Sequence, residues 1–409
     1  MSTDLALPDL TDPATFVPGI PHAAFDDVRR QPGLHWHPSE FGTYNGGFWL
    51  VTRYADVVAA EADVDTFSSV PGAFFPLGNQ ELTGPMSKHI LFMDPPDHTR
   101  VRKVASRAFG PKVIAQFGDW VRGVIDEVLD KAIPLGEFDW VEQVARQIPA
   151  RVISVVMGVP AADQKLIVKW ADDIFRGQAA SEDGSLMAEA FQAVGGYMMD
   201  LGARKLVEPA DDLISLLARA LEDGELDAAE YTMYCTALIV AGYDTTNTLL
   251  AQSARILLED HAAAEVVADA FARGKQREVV EELLRLITPA MSVTRTATRD
   301  LEFAGQQIRK NDVLMLHLSA ANRDPEVFSD PHTFDPFRTG MPTLGYGRDG
   351  LAFGSGIHRC VGSMLAKLEL RILLEEMNKR GVKLELTGEP KRGWSAMINQ
   401  LTALPVLVA

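Results

Sequence analysis

Phe353-Gly354-Ser355-Gly356-Ile357-His358-Arg359-Cys360-Val361-Gly362 is the stretch from which the fold of this chain can be read. Glycines this closely spaced let the backbone approach something large and flat and turn its amides toward a sulfur. The sulfur is Cys360, ahead of an amphipathic helix expected over 360–379. A cysteine opening a helix beside Arg359 and His358 has its thiolate favoured by the helix dipole and by local positive charge. The other cysteine, Cys235, sits in an apolar run and reads as a small buried hydrophobe. Two cysteines are too few for a disulfide scaffold or a zinc cluster.

Working outward, the next informative segment is 227–259. Asp227 and Glu230 have the spacing of a capping box. No proline follows for over thirty residues, a length of about 50 Å at 1.5 Å per residue. Between Glu230 and Arg255 the only formally charged side chain is Asp244. A helix this apolar on every side is expected to be central and buried. An isolated carboxylate there is costly to desolvate unless partnered, and such groups concentrate at functional sites. A structural aspartate bonded to a neighbouring element is the alternative. Beside it stand Gly242, the only glycine of the helix, and Thr245, whose hydroxyl can bond back to the Ala241 carbonyl. Ala241-Gly242-Tyr243-Asp244-Thr245-Thr246 therefore reads as a distorted turn that opens space beside an acid and an alcohol. That arrangement suits proton delivery to a ligand lying against the helix.

The whole chain has 409 residues, 47% hydrophobic and 23% charged, which excludes a disordered or fibrous protein. No apolar run approaches the ~18–20 residues that cross a bilayer. The N-terminus lacks the basic start and apolar core of a signal peptide. No membrane anchor and a cytoplasmic location are expected. A net charge of −17 argues against nucleic acid as a partner. Helical periodicity is expected over 97–108, 112–132, 142–157, 161–175, 186–206, 227–259, 275–287 and 360–379. Short strands are expected over 48–53, 292–298, 313–318 and 404–408. The fold class is mainly α with small β-sheets, and although length alone suggests two to three domains, no linker divides 1–409. Glu282 and Arg285 lie at i,i+3 among Leu283, Leu284, Leu286 and Ile287, which favours a buried pair with a third partner.

Phe353 to Gly362 matches F-x-x-G-x-x-x-C-x-G at every fixed position, and the chain resembles the cytochrome P-450 family over nearly its whole length. Ala241–Thr246 is similar to that family's oxygen-activation motif, and Glu282 with Arg285 to its E-x-x-R. The resemblance implies a long central helix beside haem b, with Cys360 as thiolate ligand of the iron, a ligation that favours O–O cleavage. Phe353, Gly356, Ala241 and Gly242 would then border the haem. His98 and Arg102, four apart on one helix face, and Arg295 and His358 occupy the family's propionate-binding positions. Arg338 occupies the position of the third partner of Glu282 and Arg285, a triad assigned to structure and haem incorporation. Asp244 and Thr245 carry proton delivery.

The activity so implied is O2-dependent monooxygenation, a hydroxylation of a neutral hydrophobic substrate, with terpenoids or steroids ranked ahead of alkyl and aromatic compounds. Family topology puts Phe74, Phe75, Leu77, Met86, Val240, Tyr243, Met291, Val293, Met397 and Ile398 around the substrate. Each can equally be core packing. No flavin or iron–sulfur segment follows residue 380, so electrons are expected from a separate ferredoxin and ferredoxin reductase. Lys103, Arg107, Arg348 and Arg359 are candidates for a basic docking patch. Two rivals share the cysteine: a non-catalytic haem-thiolate sensor or carrier, and a peroxide-driven enzyme. The intact Asp244–Thr245 pair favours the monooxygenase over both. Gly345-Tyr346-Gly347-Arg348-Asp349-Gly350 spells G-x-G-x-x-G, but it has neither the strand before it nor the helix after it that dinucleotide binding needs.

Overall fold

The structure, a computed structural model, describes residues 7–39, 43–74, 84–107, 109–180, 185–344 and 348–409. The chain divides into two compact units, each assembled from separated segments. One unit comprises Met1–Leu82, Thr248–Cys360 and Leu386–Pro405; the other comprises Thr83–Asn247, Val361–Glu385 and Val406–Ala409.

The first unit is built on a five-stranded sheet in the order His35–Pro38, Gly47–Val51, Val313–Leu316, Val293–Ala297, Phe67–Ser68. Its pairs are antiparallel except Gly47–Val51 against Val313–Leu316, which are parallel. Strand side chains alternate between faces, and here both faces are covered. Phe48, Leu50, Val313 and Met315 join Phe25 and Val28 in one apolar cluster. Val51, Leu314, Leu316, Phe67 and Ala297 join Phe328 and Leu351 in another. Covering both faces explains why Val313–Leu316 is a continuous apolar run rather than an alternating one.

The second unit is helical apart from a small sheet in which Pro405–Val408 lies between Glu137–Asp139 and Leu384–Leu386. Helix Gly118–Ala132 buries Val121, Ile125, Val128, Leu129 and Ala132 along one stripe. Its polar side is tied to helix Ser363–Lys379 and the residue after it. Arg122 reaches Glu375 at 3.0 Å and also Glu376, and Arg380 reaches Asp126 and Asp130 at 2.6 and 2.5 Å. Helix Gln147–Met157 ends on Gly158 at φ 75°, where a Cβ would overlap the Asp212 carboxylate, so only glycine serves.

The long helix runs unbroken from Ala228 to Glu259. The capping box is formed reciprocally: Glu230 N donates to Asp227 Oδ1 at 2.8 Å, and Asp227 N to Glu230 Oε2 at 2.9 Å. Three expectations need correction. The segment 112–132 is two helices, Pro111–Gln116 and Gly118–Ala132, meeting at Phe117. The expected helix over 142–157 begins as a π-turn, Val141–Ala145. Cys360 does not open its helix, which starts at Ser363; it follows the 3-10 turn Gly356–His358. The helix dipole therefore reaches the thiol more weakly than the sequence suggested.

Candidate active site

In the first unit the cysteine loop is held by its own backbone and by one buried acid. Cys360 N donates to Phe353 O at 2.9 Å, and Gly354 N to Leu351 O at 3.0 Å. Arg359 donates to Gly354 O at 2.7 Å and to both carboxylate oxygens of fully buried Asp349 at 2.9 and 3.1 Å. Glu61, on helix Tyr54–Ala62, accepts from Ser355 N at 2.7 Å and from Ser355 Oγ at 2.6 Å. A Cβ on Gly356, at φ 63°, would collide with the Glu61 carbonyl oxygen, and one on Gly354 would come 3.0 Å from its carboxylate. The loop can take this path only because both positions are glycine. Burial pushes the Glu61 carboxyl up, opposed by Arg295 at 3.9 Å and by Ser355. Glu61 thus links Arg295 to the cysteine loop, while His358 Nε2 lies 3.3 Å from Ser69 Oγ. The Cys360 side chain is exposed.

Glu282, Arg285 and Arg338 meet in the same unit. Arg285 binds Glu282 bidentately at 2.8 and 2.7 Å, and Arg338 approaches Glu282 Oε1 at 3.3 and 3.4 Å. The remaining arginine donors go to main-chain carbonyls, among them Asn322 and Pro331 for Arg285 and Thr333 for Arg338. All three side chains are buried.

In the second unit Asp244 is buried, and burial raises its carboxyl from the usual 3.8 to about 6. A hydrogen bond with Asn247 and the charge of Arg146 pull the other way, and Asp172 adds to the rise. Arg146 is the hub of a cluster: its Nε donates to Tyr243 Oη at 3.1 Å, its Nη1 to Glu142 at 2.5 Å, and it also pairs with Asp172. Tyr243 Oη donates to Asp172 Oδ1 at 3.0 Å. Thr245 Oγ1 donates to Ala241 O at 2.6 Å, the back-bond its spacing suggested. The helix stays α-helical there, so Gly242 marks close packing, its missing Cβ facing Ile153 at 3.4 Å, rather than a distorted turn. Along a helix that is otherwise largely buried from Tyr231 to Ser253, Ala241 is exposed and Val240, Gly242 and Thr245 are half-open. His98 is buried and Arg102, one turn on, half-buried. Arg100 of the same helix fixes Glu230 at 2.5 and 3.0 Å.

Among the expected substrate residues, Phe74, Met86, Val240, Val293 and Met397 are half-buried. Phe75 and Leu77 lie outside the described residues, as do Gly345, Tyr346 and Gly347. Met291 is a correction: it is 1% exposed, in the apolar cluster with Phe25 and Leu50, and its N–H donates to Met397 O at 2.8 Å. Ile398 is likewise buried, bridged to Ala290, and the Tyr243 hydroxyl is spent on Arg146 and Asp172. Two expected docking cations are already paired, Arg107 with Glu225 at 2.8 Å and Arg359 with Asp349 at 2.9 Å. Glu61, Arg146 and Asp172 were missed. An arginine amid Val144, Ala145 and Ile148 carried the same signal as Asp244, whereas nothing around Glu61 marks it in the sequence.

A family-wide profile described as Cytochrome P450 matches residues 276–380. The chain is 34% identical over 382 residues to a Mycobacterium tuberculosis protein named cytochrome P450 126, covering 91% of this chain and 90% of that one. It belongs to the cytochrome P450 family. A steroid C26-monooxygenase of Mycolicibacterium smegmatis is 29% identical over 96% of this P450 and 91% of its own length. The solved structure of CYP108D1 from Novosphingobium aromaticivorans superposes with a TM-score of 0.84 at 30% identity, covering 98% of this chain and 97% of that one. The enzyme is a haem-thiolate monooxygenase with the P450 fold.

The residues present fit that cofactor. An exposed thiol ends a loop whose glycines admit no side chain. Ala241 opens a small-residue window in a buried helix. Arg295 and His358 in the first unit, and His98 and Arg102 in the second, are each of the residue types whose donors carboxylates take. No helix among the described residues is long and apolar enough to cross a membrane.

Proposed function

We propose that this P450 hydroxylates a neutral hydrophobic substrate of the terpenoid or steroid class, drawing electrons from a separate ferredoxin and its reductase. In this reading 1–409 works as one catalytic domain. Cys360 is the axial thiolate, His98, Arg102, Arg295 and His358 hold the propionates, and Glu282, Arg285 and Arg338 brace the fold that accepts the cofactor. Haem, when bound, supplies the activation of O2 and the insertion of one oxygen atom.

The observation that carries the proposal is the buried Asp244 carboxyl next to the half-open Thr245. A carboxyl raised to about 6 is close enough to neutrality to take up and release a proton at physiological pH. Thr245 gives its own hydrogen to Ala241 O, so what its hydroxyl offers the open side is an acceptor. Phe74, Val293 and Met397 in the first unit, and Met86 and Val240 in the second, are each half-buried and apolar, which supports a neutral substrate over an acid. The likeness to a steroid C26-monooxygenase supports the steroid ranking.

Optical titration of the ferric enzyme with steroids, terpenes, fatty acids and small aromatics tests the proposal. A low-to-high-spin conversion with steroids or terpenes is expected. Conversion by fatty acids alone would overturn the substrate class.

A further inference from the structure

A cavity of about 210 Å3 lies wholly within the first unit, and none of its lining residues is assigned above to haem, oxygen or substrate. Its wall carries three arginines, Arg255, Arg323 and Arg392, with His22 and His332, against a single carboxylate, Asp260. These residues come from segments far apart in sequence: helix His22–Arg29, the end of the long helix, the turn after Leu318–Ala321, the loop at His332, and the strand Lys391–Arg392. Such a concentration of positive charge stands out in a chain of net charge −17.

The arginines are poorly neutralised. Arg323 is 8% exposed, and its hydrogen bonds go to main-chain carbonyls, Leu286 O at 2.7 Å and Ser319 O at 3.4 Å. Arg392 donates to the neutral Asn399 Oδ1 at 2.9 Å. Arg255 donates to the neutral Gln252 Oε1 at 2.6 Å and, among the described residues, is the only one of the three with a carboxylate partner, Glu259, which is not part of the cavity wall. Asp260 is occupied with the start of the next helix, accepting from Ala263 N at 3.1 Å. Burial, and then repulsion from Arg285, lowers Arg323 to about 9 against the weaker pull of Asp26 and Glu282, and burial followed by Arg255 lowers Arg392 against that of Glu259. A guanidinium carries five N–H donors, and a buried cation without a counter-charge is costly.

His22 Nδ1 is buried and makes no hydrogen bond in the structure. Burial and the charge of Arg323 hold His22 well below the usual histidine range, so near neutral pH it offers a ring nitrogen without adding charge. Asp260 and His332 are exposed, which leaves the cavity reachable from solvent. Its volume equals the share of about seven waters at ~30 Å3 each and falls below the ~300 Å3 at which pockets for drug-sized ligands begin. The space therefore suits a small ion.

We propose that this cavity binds a small tetrahedral oxyanion of the phosphate or sulfate type, held by Arg323, Arg392 and Arg255. Three arginines against Asp260 and Glu259, the partner of Arg255, leave a surplus of one positive charge at the wall, which an oxyanion matches. The bound anion ties the first helix of the unit to the end of the long helix and to the C-terminal loop, so it stabilises the unit by mass action.

Calorimetric titration of inorganic phosphate into the haem-loaded full chain, in chloride buffer at fixed ionic strength, tests the site. Saturable binding of one phosphate per chain is expected, with competition by sulfate and weaker binding of acetate. Arg392→Gln, chosen because Arg323 is buried deeply enough to threaten folding, should weaken binding roughly 10- to 100-fold while the haem spectrum stays unchanged. Arg380→Gln, an arginine paired with Asp126 and Asp130, should bind as the parent does. The thermal midpoint should rise with the logarithm of phosphate concentration above Kd, and in Arg392→Gln the rise should begin only at roughly 10- to 100-fold higher concentration. No binding heat, equal affinity in Arg392→Gln, or tighter binding of acetate would overturn the proposal. So would a midpoint that climbs in proportion to phosphate concentration and identically in both proteins, the signature of a salt excluded from the surface.

Discussion

Replacing Asp244 with asparagine should make the enzyme more stable and less active, and the stability gain should depend on pH. The carboxyl stands at about 6 in the folded protein against an ordinary 3.8, because burial disfavours its charged form. A difference of roughly two pH units at about 1.36 kcal/mol each means that ionised Asp244 destabilises the fold by about 3 kcal/mol. The sign follows from proton uptake. Below 3.8 the group is protonated in both states and contributes nothing. Between 3.8 and 6 the unfolded chain has released a proton that the native state keeps, so stability falls as pH rises. Above 6 the loss is complete and constant. The substituted asparagine cannot ionise, so the advantage of Asp244→Asn should grow from about 1.5 kcal/mol at pH 5 to about 3 kcal/mol at pH 8. Urea unfolding of the parent and variant holoenzymes, followed by circular dichroism between pH 5 and 8, measures it. An advantage that is flat with pH, or a variant less stable at pH 8, would refute the reasoning. Product formation per reductant consumed should drop in the same variant, as expected where an active-site acid is retained against stability.

Thr245→Ala removes the hydroxyl acceptor while leaving the helix intact, so reductant should be consumed as hydrogen peroxide with little product; unchanged coupling would remove Thr245 from proton delivery. Cys360→Ser should abolish the thiolate signature of the reduced, CO-bound spectrum, and its persistence would reassign the ligand. Gly356→Ala sets a Cβ against the Glu61 carbonyl at a left-handed φ of 63°, a strain of about 1–3 kcal/mol or more, read as a lower yield of haem-loaded protein and a lower urea midpoint. Arg285→Lys breaks a buried bidentate pair and leaves the carbonyls of Asn322, Pro331 and Thr333 short of donors, which should destabilise by about 1–3 kcal/mol or more; a midpoint within error of the parent would deny the triad its bracing role.

What the sequence disclosed follows from the physics of each element. The long helix was legible because its capping box, its length and its freedom from charge are all local in sequence, and Asp227 and Glu230 bond as their spacing requires. The strands Val293–Ala297 and Val313–Leu316 were legible as short apolar runs. The helices His22–Arg29, Tyr54–Ala62, Leu213–Glu222 and His261–Ala272 went unnoticed. The first two are about two turns long, too short for a 3.6-residue period to separate from chance. Their importance lies in partners hundreds of positions away, as with Glu61 and Ser355. The motifs gave Cys360, Asp244 and Thr245, but not what surrounds them. Which side of Met291 or Tyr243 meets a ligand depends on packing against Phe25 in one case and Arg146 in the other. No periodicity encodes that.

The buried carboxylates of this enzyme differ in donor supply, and that difference supports the proposed division between brace and proton carrier. Glu282 accepts from Arg285 twice, from Arg338 and from the Asp335 N–H at 3.1 Å. Three of these bonds come from guanidinium donors and are charge-assisted. Glu61 is intermediate, with two donors from Ser355 and an arginine at 3.9 Å, and burial still lifts it. Glu369 has one oxygen without any partner and is raised well above the carboxylate range by burial, which keeps it neutral. Asp244 combines burial, a side-chain partner in Asn247 and a cation, Arg146, already committed to Tyr243, Glu142 and Asp172. Its two protonation states are therefore close in free energy near neutral pH. Freeing Arg146 from its competitors, by Asp172→Asn, should let it hold Asp244 ionised and lower that carboxyl; removing Arg146, by Arg146→Gln, should raise it. Opposite displacements of the pH profile of coupling in these two variants are expected, and displacement in the same direction would show that the cluster acts on something other than Asp244.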